Sequence, residues 1–246
     1  GILILSLIGY FIVFPLVSEF LAPVPEENPS GALPAFEPSV QSSPNFTHSS
    51  FFRIPPDRSI KLTFKNEPAQ SVEELKTYAQ RLSNALASID ASSGMLEIEV
   101  QGKDGAPLAF NEFMALIKIT LFDSDFFKNN FNQDFTAFVL KDNRGSWPGY
   151  VLRLGRGITE LLVRNQVAAL ENSPDLANLF LTPPGRQALS GFRDLTVQGK
   201  STRYVLFSNS TEGAPVAFYY SWFNNNTLVL STSEAGLKKA FEHLGR

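Results

Sequence analysis

The chain begins with an apolar run long enough to cross a lipid bilayer. Gly1–Val17 carries no charged residue, and the first acidic side chain is Glu19. A membrane-spanning helix needs about 17–25 such residues, because lipid offers no hydrogen-bond partner to a backbone amide. We therefore expect a single-pass transmembrane helix over residues 1–22 that contacts the lipid bilayer. A signal peptide, a buried core helix and the apolar first helix of a pilin are the alternatives. The anchor side chains are predicted to be Ile2, Leu3, Ile4, Leu5, Leu7, Ile8, Phe11, Ile12, Val13, Phe14, Leu16 and Val17.

A proline-rich segment follows the apolar run. Residues 23–57 contain eight prolines among serine, asparagine and glutamate residues. Proline fixes the backbone angle φ and lacks an N–H donor, so a segment of this composition is extended and packs poorly. We expect a semi-rigid linker that holds the following domain away from the membrane, on its extracytoplasmic side.

From residue 58 to residue 246 the sequence has the pattern of a globular α+β domain. Apolar and polar residues alternate from Ile60 to Phe64, as in a strand with one buried face. Ser231 and Glu234 have the spacing of a capping box at the start of the last helix. Strands are predicted over residues 60–65, 95–100, 136–141, 149–154, 195–198, 203–208, 216–223 and 227–231. Helices are predicted over residues 71–89, 111–121 and 158–171, from residue 173, and over residues 231–244.

The order of these elements predicts how they pack. Strand pairs followed by helices favour an antiparallel or mixed sheet with helices packed on one face. The order strand–strand–helix over residues 134–171 is similar to the order over residues 216–244. We therefore also interpret the domain as two related lobes, with a boundary near residues 182–192.

The composition argues against several kinds of chemistry. The chain has no cysteine and two histidines, His48 in the linker and His243 near the C-terminus. Thiolate metal sites, disulfides and cysteine nucleophiles are excluded, and a two-histidine metal site is not expected. A formal net charge of −3 without a basic stripe argues against nucleic acid. Residues 155–157 and 199–201 lack the further glycine that a nucleotide-binding loop needs. We expect no cofactor, no nucleotide and no metal.

Phenylalanine is concentrated in one region of the domain. The chain has 22 phenylalanines, and several of them lie between residues 110 and 138. Over residues 123–134 they are mixed with Asp, Asn and Lys at no regular period, so some rings are expected at the surface. Exposed aromatic rings mark contacts with partners, whereas burial in the core is the alternative. The candidate partner surface consists of Phe122, Phe126, Phe127 and Phe131.

Four segments of the domain carry a resemblance to a known group of proteins. They are residues 135–140, 150–154, 218–222 and 228–234. In these segments and in its layout, the chain resembles uncharacterised single-pass membrane proteins of ultrasmall candidate-phylum (Patescibacteria-like) bacteria. The resemblance covers most of residues 59–246. It implies one spanning helix, a proline-rich spacer and an α+β extracytoplasmic domain, and it implies no activity and no site residues.

Three functions are compatible with these patterns. The leading hypothesis is a non-enzymatic, membrane-anchored interaction or scaffold domain of the bacterial cell envelope, which binds a protein partner or self-associates. The alternatives are an envelope hydrolase that uses carboxylates and a subunit of a pilus or secretion-type surface assembly. The hydrolase needs a concave site that gathers several of the acidic residues Asp123, Asp125, Asp134, Asp142 and Glu160.

Overall fold

A computed structural model of the chain describes most of the predicted domain. The described residues are 46–64, 80, 82, 84–88, 94–116, 124–208 and 216–245. The predicted transmembrane helix over residues 1–22 and residues 23–45 of the predicted linker lie outside them. Within the described residues, no helix combines the length and the apolar character that crossing a bilayer requires.

Eight strands form one mixed sheet. The order across the sheet is β1-β2-β3-β4-β8-β7-β6-β5. In this sheet β1 runs parallel to β2, and every other neighbouring pair is antiparallel. The predictions of an α+β fold and of a mixed sheet are confirmed. The strands are β1 (Arg58–Thr63), β2 (Gly94–Gln101), β3 (Phe131–Asp142), β4 (Gly145–Leu154), β5 (Arg193–Val197), β6 (Lys200–Leu206), β7 (Ala217–Phe223) and β8 (Thr227–Ser231).

Four α-helices lie entirely within the described residues. They are α1 (Phe110–Leu116), α2 (Ser124–Asn130), α3 (Glu160–Ala168) and α4 (Glu234–Leu244). Two short 3₁₀ helices, Ala169–Asn172 and Pro174–Leu179, follow α3. Ser173 is the N-cap of the second one, as predicted, because its Oγ accepts a hydrogen bond from the backbone N–H of Asp175 at 3.2 Å. Residues 84–87 are helical as well and belong to the helix predicted over residues 71–89.

Successive residues of the central strands are buried against opposite faces of the sheet. In β4, Leu152 belongs to one hydrophobic core and Val151 to the other. Helices α1, α2 and α3 contribute to the core that contains Leu152, which we call the front core. Helix α4 contributes to the core that contains Val151, which we call the back core. The prediction that helices pack on one face is therefore wrong, because a sheet with apolar residues on both faces needs cover on both.

The strand order is symmetric about the pairing of β4 with β8. Helix α3 follows β4 and α4 follows β8, which agrees with the strand–strand–helix repeat in the sequence. If the two halves were related by a two-fold rotation that exchanges β4 with β8, the axis would stand perpendicular to the sheet. Such a rotation would place α3 and α4 on the same face. Helix α3 lies on the front face and α4 on the back, so this rotation does not relate the two helices. One sheet also spans the predicted boundary near residues 182–192, so the two related lobes stay a prediction.

The predicted linker ends earlier than residue 57. Residues 46–56, which we call the strap, lie on the back face of the sheet, and Phe51 and Phe52 are buried in the back core. The ring centroid of Phe52 lies 5.8 Å from that of Phe138 in an edge-to-face arrangement. The domain therefore includes the strap, because the burial of two phenylalanine side chains lowers the free energy of the folded state.

The N-cap of α4 is Ser233 rather than the predicted Ser231. Ser233 has an extended backbone, and its Oγ accepts a hydrogen bond from the backbone N–H of Gly236 at 3.0 Å. Ser231 belongs to β8, and its hydroxyl donates to the carbonyl oxygen of Ser233 at 2.9 Å. The helix starts later than predicted because the pairing of β8 with β4 and β7 extends through Ser231.

Gly149 allows the ring of Phe138 to pack across β4. The two residues are directly opposite each other in the register of β3 and β4. A Cβ atom at position 149 would lie 2.2 Å from Cζ of Phe138 and 2.7 Å from the carbonyl oxygen of Leu230. A side chain at this position must therefore displace both the aromatic ring and the backbone of the neighbouring strand.

We expect Gly149→Ala to lower the free energy of unfolding by about 1–3 kcal/mol, because overpacking shifts a buried ring and a strand. Urea unfolding followed by circular dichroism measures the loss. Gly155→Ala is the matched control, since its added Cβ would come no closer than 3.5 Å to the carbonyl oxygen of Asn130. The control is expected to change stability by less than about 0.5 kcal/mol. Equal stabilities of the two variants would contradict the packing argument.

Candidate functional site

A carboxylate on the back face of the sheet binds His48 of the strap. Nδ1 of His48 lies 2.6 Å from Oδ1 of Asp134 in β3. The other carboxylate oxygen of Asp134 accepts the backbone N–H of Ser49 at 2.9 Å. Further along the strap, Phe51 donates its backbone N–H to Oγ1 of Thr136 at 2.8 Å. The strap therefore lies along β3, with polar side chains of that strand as its partners.

Strand β2 adds two carboxyl groups to the same face. Oε1 of Glu97 is buried, has no hydrogen-bond partner among the described residues and lies 3.9 Å from Nε2 of His48. Glu99 accepts a hydrogen bond from Nε2 of Gln101 at 2.6 Å and pairs with Nζ of Lys61 at 3.0 Å. Successive side chains of a strand point to opposite faces, so residues two positions apart, such as 97 and 99, lie on the same face. We call the following four residues the histidine cluster: His48, Glu97, Glu99 and Asp134.

This environment keeps His48 protonated. Burial alone lowers the pKa of a histidine, because desolvation disfavours the cation. The hydrogen bond to Asp134 and the proximity of Glu97 outweigh burial and raise the pKa of His48 from 6.5 to about 9. Burial acts in the opposite direction on Glu99, but the interactions with Lys61 and Gln101 dominate and lower the pKa of that carboxyl group. At neutral pH the cluster therefore holds an imidazolium among three carboxyl groups.

A protonated His48 is poorly suited to catalysis as a base. General-base catalysis needs a neutral imidazole with a free lone pair, and a serine triad needs a hydroxyl group beside Nε2. The histidine cluster places Glu97 on that side instead, at 3.9 Å. In the part of the chain that the structure describes, no group of three His, Asp or Glu side chains could hold a metal ion. The cluster can instead join the strap to the sheet by charge.

A second partly buried ion pair lies on the front face. Nε and Nη2 of Arg203 in β6 donate to the two carboxylate oxygens of Glu171 at 2.8 and 2.6 Å. The hydroxyl of Tyr220 in β7 donates to Glu171 at 2.6 Å. Burial raises the pKa of Glu171, but the hydrogen bonds from Arg203 and Tyr220 outweigh it and lower that pKa. Because Glu171 belongs to the 3₁₀ helix after α3, this ion pair fixes that helix on the sheet.

Of the five acidic residues predicted for a carboxylate hydrolase, the four that the structure describes do not gather at one place. Asp134 belongs to the histidine cluster on the back face, whereas Glu160 is buried in the first turn of α3 on the front. Asp142 ends β3, and the rise of a strand puts it roughly 25 Å from Asp134. Asp125 is exposed on α2, and Asp123 lies outside the described residues.

Two of the four phenylalanines predicted as a partner surface belong to the front core. Phe127 and Phe131 are 3% and 5% exposed, and their rings stack with centroids 4.8 Å apart. Phe126 is partly buried against the same core, and Phe122 lies outside the described residues. The prediction is therefore wrong for Phe127 and Phe131, because side chains that fill the core do not reach a partner.

The linker prediction misses His48 and the cluster around it. Prolines dominate the composition of residues 23–57 and predict an extended segment that packs poorly. The adjacent residues Phe51 and Phe52 are the signal that could have identified a packed segment, since large aromatic side chains are mostly buried. The partner Asp134 is 86 positions away from His48, and no local spacing indicates that contact.

We expect Glu171→Gln to lower the free energy of unfolding by about 1–2 kcal/mol, because a hydrogen-bonded ion pair is replaced by a neutral amide. A carboxyl group with a lowered pKa contributes stability above its ordinary pKa, and that contribution is lost as the pH falls. The difference between wild type and variant should therefore shrink below about pH 4.5. Urea unfolding from pH 3 to pH 7 measures it. Glu242→Gln is the control, since the pair with Lys239 is solvent-exposed; an equal loss in both variants would refute the assignment.

Comparison with known protein families, with curated proteins and with solved structures finds no match for this chain. The resemblance to candidate-phylum membrane proteins stays a prediction. A fold alone does not define a function, whereas exposed surfaces and clusters of polar side chains limit what a domain can bind.

Proposed function

We propose that the chain is a non-enzymatic, membrane-anchored domain of the bacterial cell envelope that binds another protein on the extracytoplasmic side. The observation that supports a contact surface is a pair of adjacent leucines on α3. Leu161 is 80% exposed and Leu162 is 64% exposed. Exposed apolar groups that lie side by side mark interaction sites more often than single ones do.

Helix α3 explains why these leucines point outward. Val163 and Val167 occupy its inner face and are fully buried in the front core. Leu161 and Leu162 lie on the opposite side, and the exposed residues Arg164–Gln166 follow them. An apolar centre with polar residues at its edge is the composition of a protein contact surface. A partner with an apolar surface of its own would complement this face of α3.

The position of the strap is compatible with this role. The strap reaches the domain on the back face, whereas α3 lies on the front. A tether that approaches through the strap would therefore leave the leucines on the side turned away from it. A linker of the predicted length and stiffness would keep the leucines accessible above a membrane.

Photocrosslinking in native membranes tests the contact surface. We expect a photoreactive residue at position 161 to give a discrete adduct with one protein, because this position would be buried in the complex. The matched control carries the same group in place of Leu189, which is also fully exposed but belongs to the loop before β5. Identical adduct patterns from both positions would indicate random collisions and would argue against a contact surface on α3. An adduct with a second copy of the chain would assign the surface to self-association.

Alkaline carbonate extraction of membranes tests the anchor. We expect the full-length chain to stay in the membrane pellet and a variant that lacks residues 1–22 to appear in the soluble fraction, because a spanning helix is not released by high pH or salt. Peripheral attachment through the domain alone predicts that both chains are released. Protease treatment of intact cells then distinguishes the extracytoplasmic side from the cytoplasmic one.

A further inference from the structure

The strap is attached to the domain in two different ways. Its second part is held by packing and by backbone hydrogen bonds: the ring of Phe52 lies against His243, with centroids 5.5 Å apart. The backbone N–H groups of Arg53 and Ile54 donate to the carbonyl oxygen of His243 at 2.8 and 3.0 Å. In its first part, residues 46–50, His48 and Ser49 both contact one carboxylate of β3. The two parts therefore depend on different forces.

The charges around His48 come from three strands. Asp134 in β3 and Glu97 in β2 lie on either side of the imidazole ring. Glu99 is further away and pairs with Lys61 of β1. The side chain of Arg153 in β4 stacks on the ring of Phe51, 4.2 Å from its centroid, and donates to the carbonyl oxygen of Phe51 at 3.2 Å. Arg153 is a second cation near Asp134, and Arg53 of the strap lies close to Arg153. The proton on His48 is the positive charge that lies between Asp134 and Glu97.

An imidazolium can face two carboxylates, whereas a neutral imidazole cannot do so favourably. The cation presents an N–H group at both ring nitrogens, but the neutral ring keeps only one and turns a lone pair toward the other partner. If Nδ1 keeps its hydrogen for Asp134, then a lone pair on Nε2 faces Oε1 of Glu97, which has no other hydrogen-bond partner among the described residues. A buried carboxylate oxygen opposite a lone pair is repelled and lacks solvation.

We propose that His48 is a proton-dependent clasp, which holds residues 46–50 on the sheet while it is charged and releases them at alkaline pH. Phe51 and Phe52 stay packed in the back core, because their contacts do not involve the proton on His48. Release would add about 16 Å of extended chain ahead of the domain, at about 3.3 Å per residue. The inference does not require residues 1–22 to span a membrane.

The direction of the pH effect follows from the pKa of His48, which is raised to about 9. A histidine with a raised pKa stabilises the docked state fully below its ordinary pKa of 6.5, and this stabilisation is lost as the pH rises through about 9. The ratio of released to docked strap should therefore rise on the order of 100-fold between pH 6.5 and pH 10.

A spin label measures this ratio directly. The chain has no cysteine, so Ser49→Cys provides a single attachment site on an exposed residue of the strap. We expect its electron paramagnetic resonance spectrum to gain a mobile component as the pH rises from 6.5 to 10. The same label at Asn165→Cys on α3 is the control and should show no such change. A label at position 49 whose mobility is constant over this range would overturn the proposal.

Two variants separate the clasp from general alkaline loosening. In labelled His48→Gln the mobile component should already be present at pH 6.5 and should not change with pH. In labelled Glu97→Gln a neutral imidazole no longer faces a carboxylate, so the mobile component should rise less between pH 6.5 and pH 10 than it does in the wild type. If His48→Gln does not fold, an NMR titration of the unlabelled wild type measures the pKa of His48 and tests the clasp instead. A midpoint well above 7 supports the clasp, and a midpoint at or below 6.5 refutes it.

Discussion

The pairing of β4 with β8 is the contact on which the rest of the domain depends. On the back face Val151 is opposite Val229, and on the front face Leu152 is opposite Leu228. All four side chains are fully buried. Helix α4 packs against β3, β4, β7 and β8, an apolar surface that exists only once strands from both halves of the sequence have joined. The back core can therefore not close before this non-local contact forms, whereas β3–β4, β5–β6 and β7–β8 are local hairpins.

Local patterns predicted most of the strands, for identifiable physical reasons. Alternating apolar and polar residues from Ile60 to Phe64 predicted β1, and residues Asp142–Gly145 predicted the turn between β3 and β4. Asn224 and Asn225 adopt positive φ angles of 52° and 58°, which asparagine tolerates better than most residues, and they form the predicted β7–β8 turn. The face of the sheet that each helix covers could not be predicted from local patterns. It depends on the order of the strands in the complete sheet, and no short segment of the sequence indicates that order.

The candidate sites were less predictable than the fold, because each depends on residues that look ordinary alone. His48 is one histidine among prolines, and its partners Asp134 and Glu97 come from two strands that are distant in sequence. Leucine is usually a core residue, and only the orientation of α3 on the sheet exposes Leu161 and Leu162. The sequence predicted a contact surface of phenylalanines instead, but aromatic rings on α2 and β3 fill the front core.

The contact between the strap and α4 has a consequence for synthesis. The strap is among the first parts of the domain to be made, whereas α4 is the last helix, and His243 near its end accepts two backbone hydrogen bonds from the strap. Chains are made from the N-terminus, so Phe52 lacks its contact with His243 until α4 has been translated. Phe51 differs, because its partners Thr136 and Arg153 lie in β3 and β4, which are made earlier. The strap can therefore begin to dock before α4 is made, but its last contacts form only after α4 has left the ribosome.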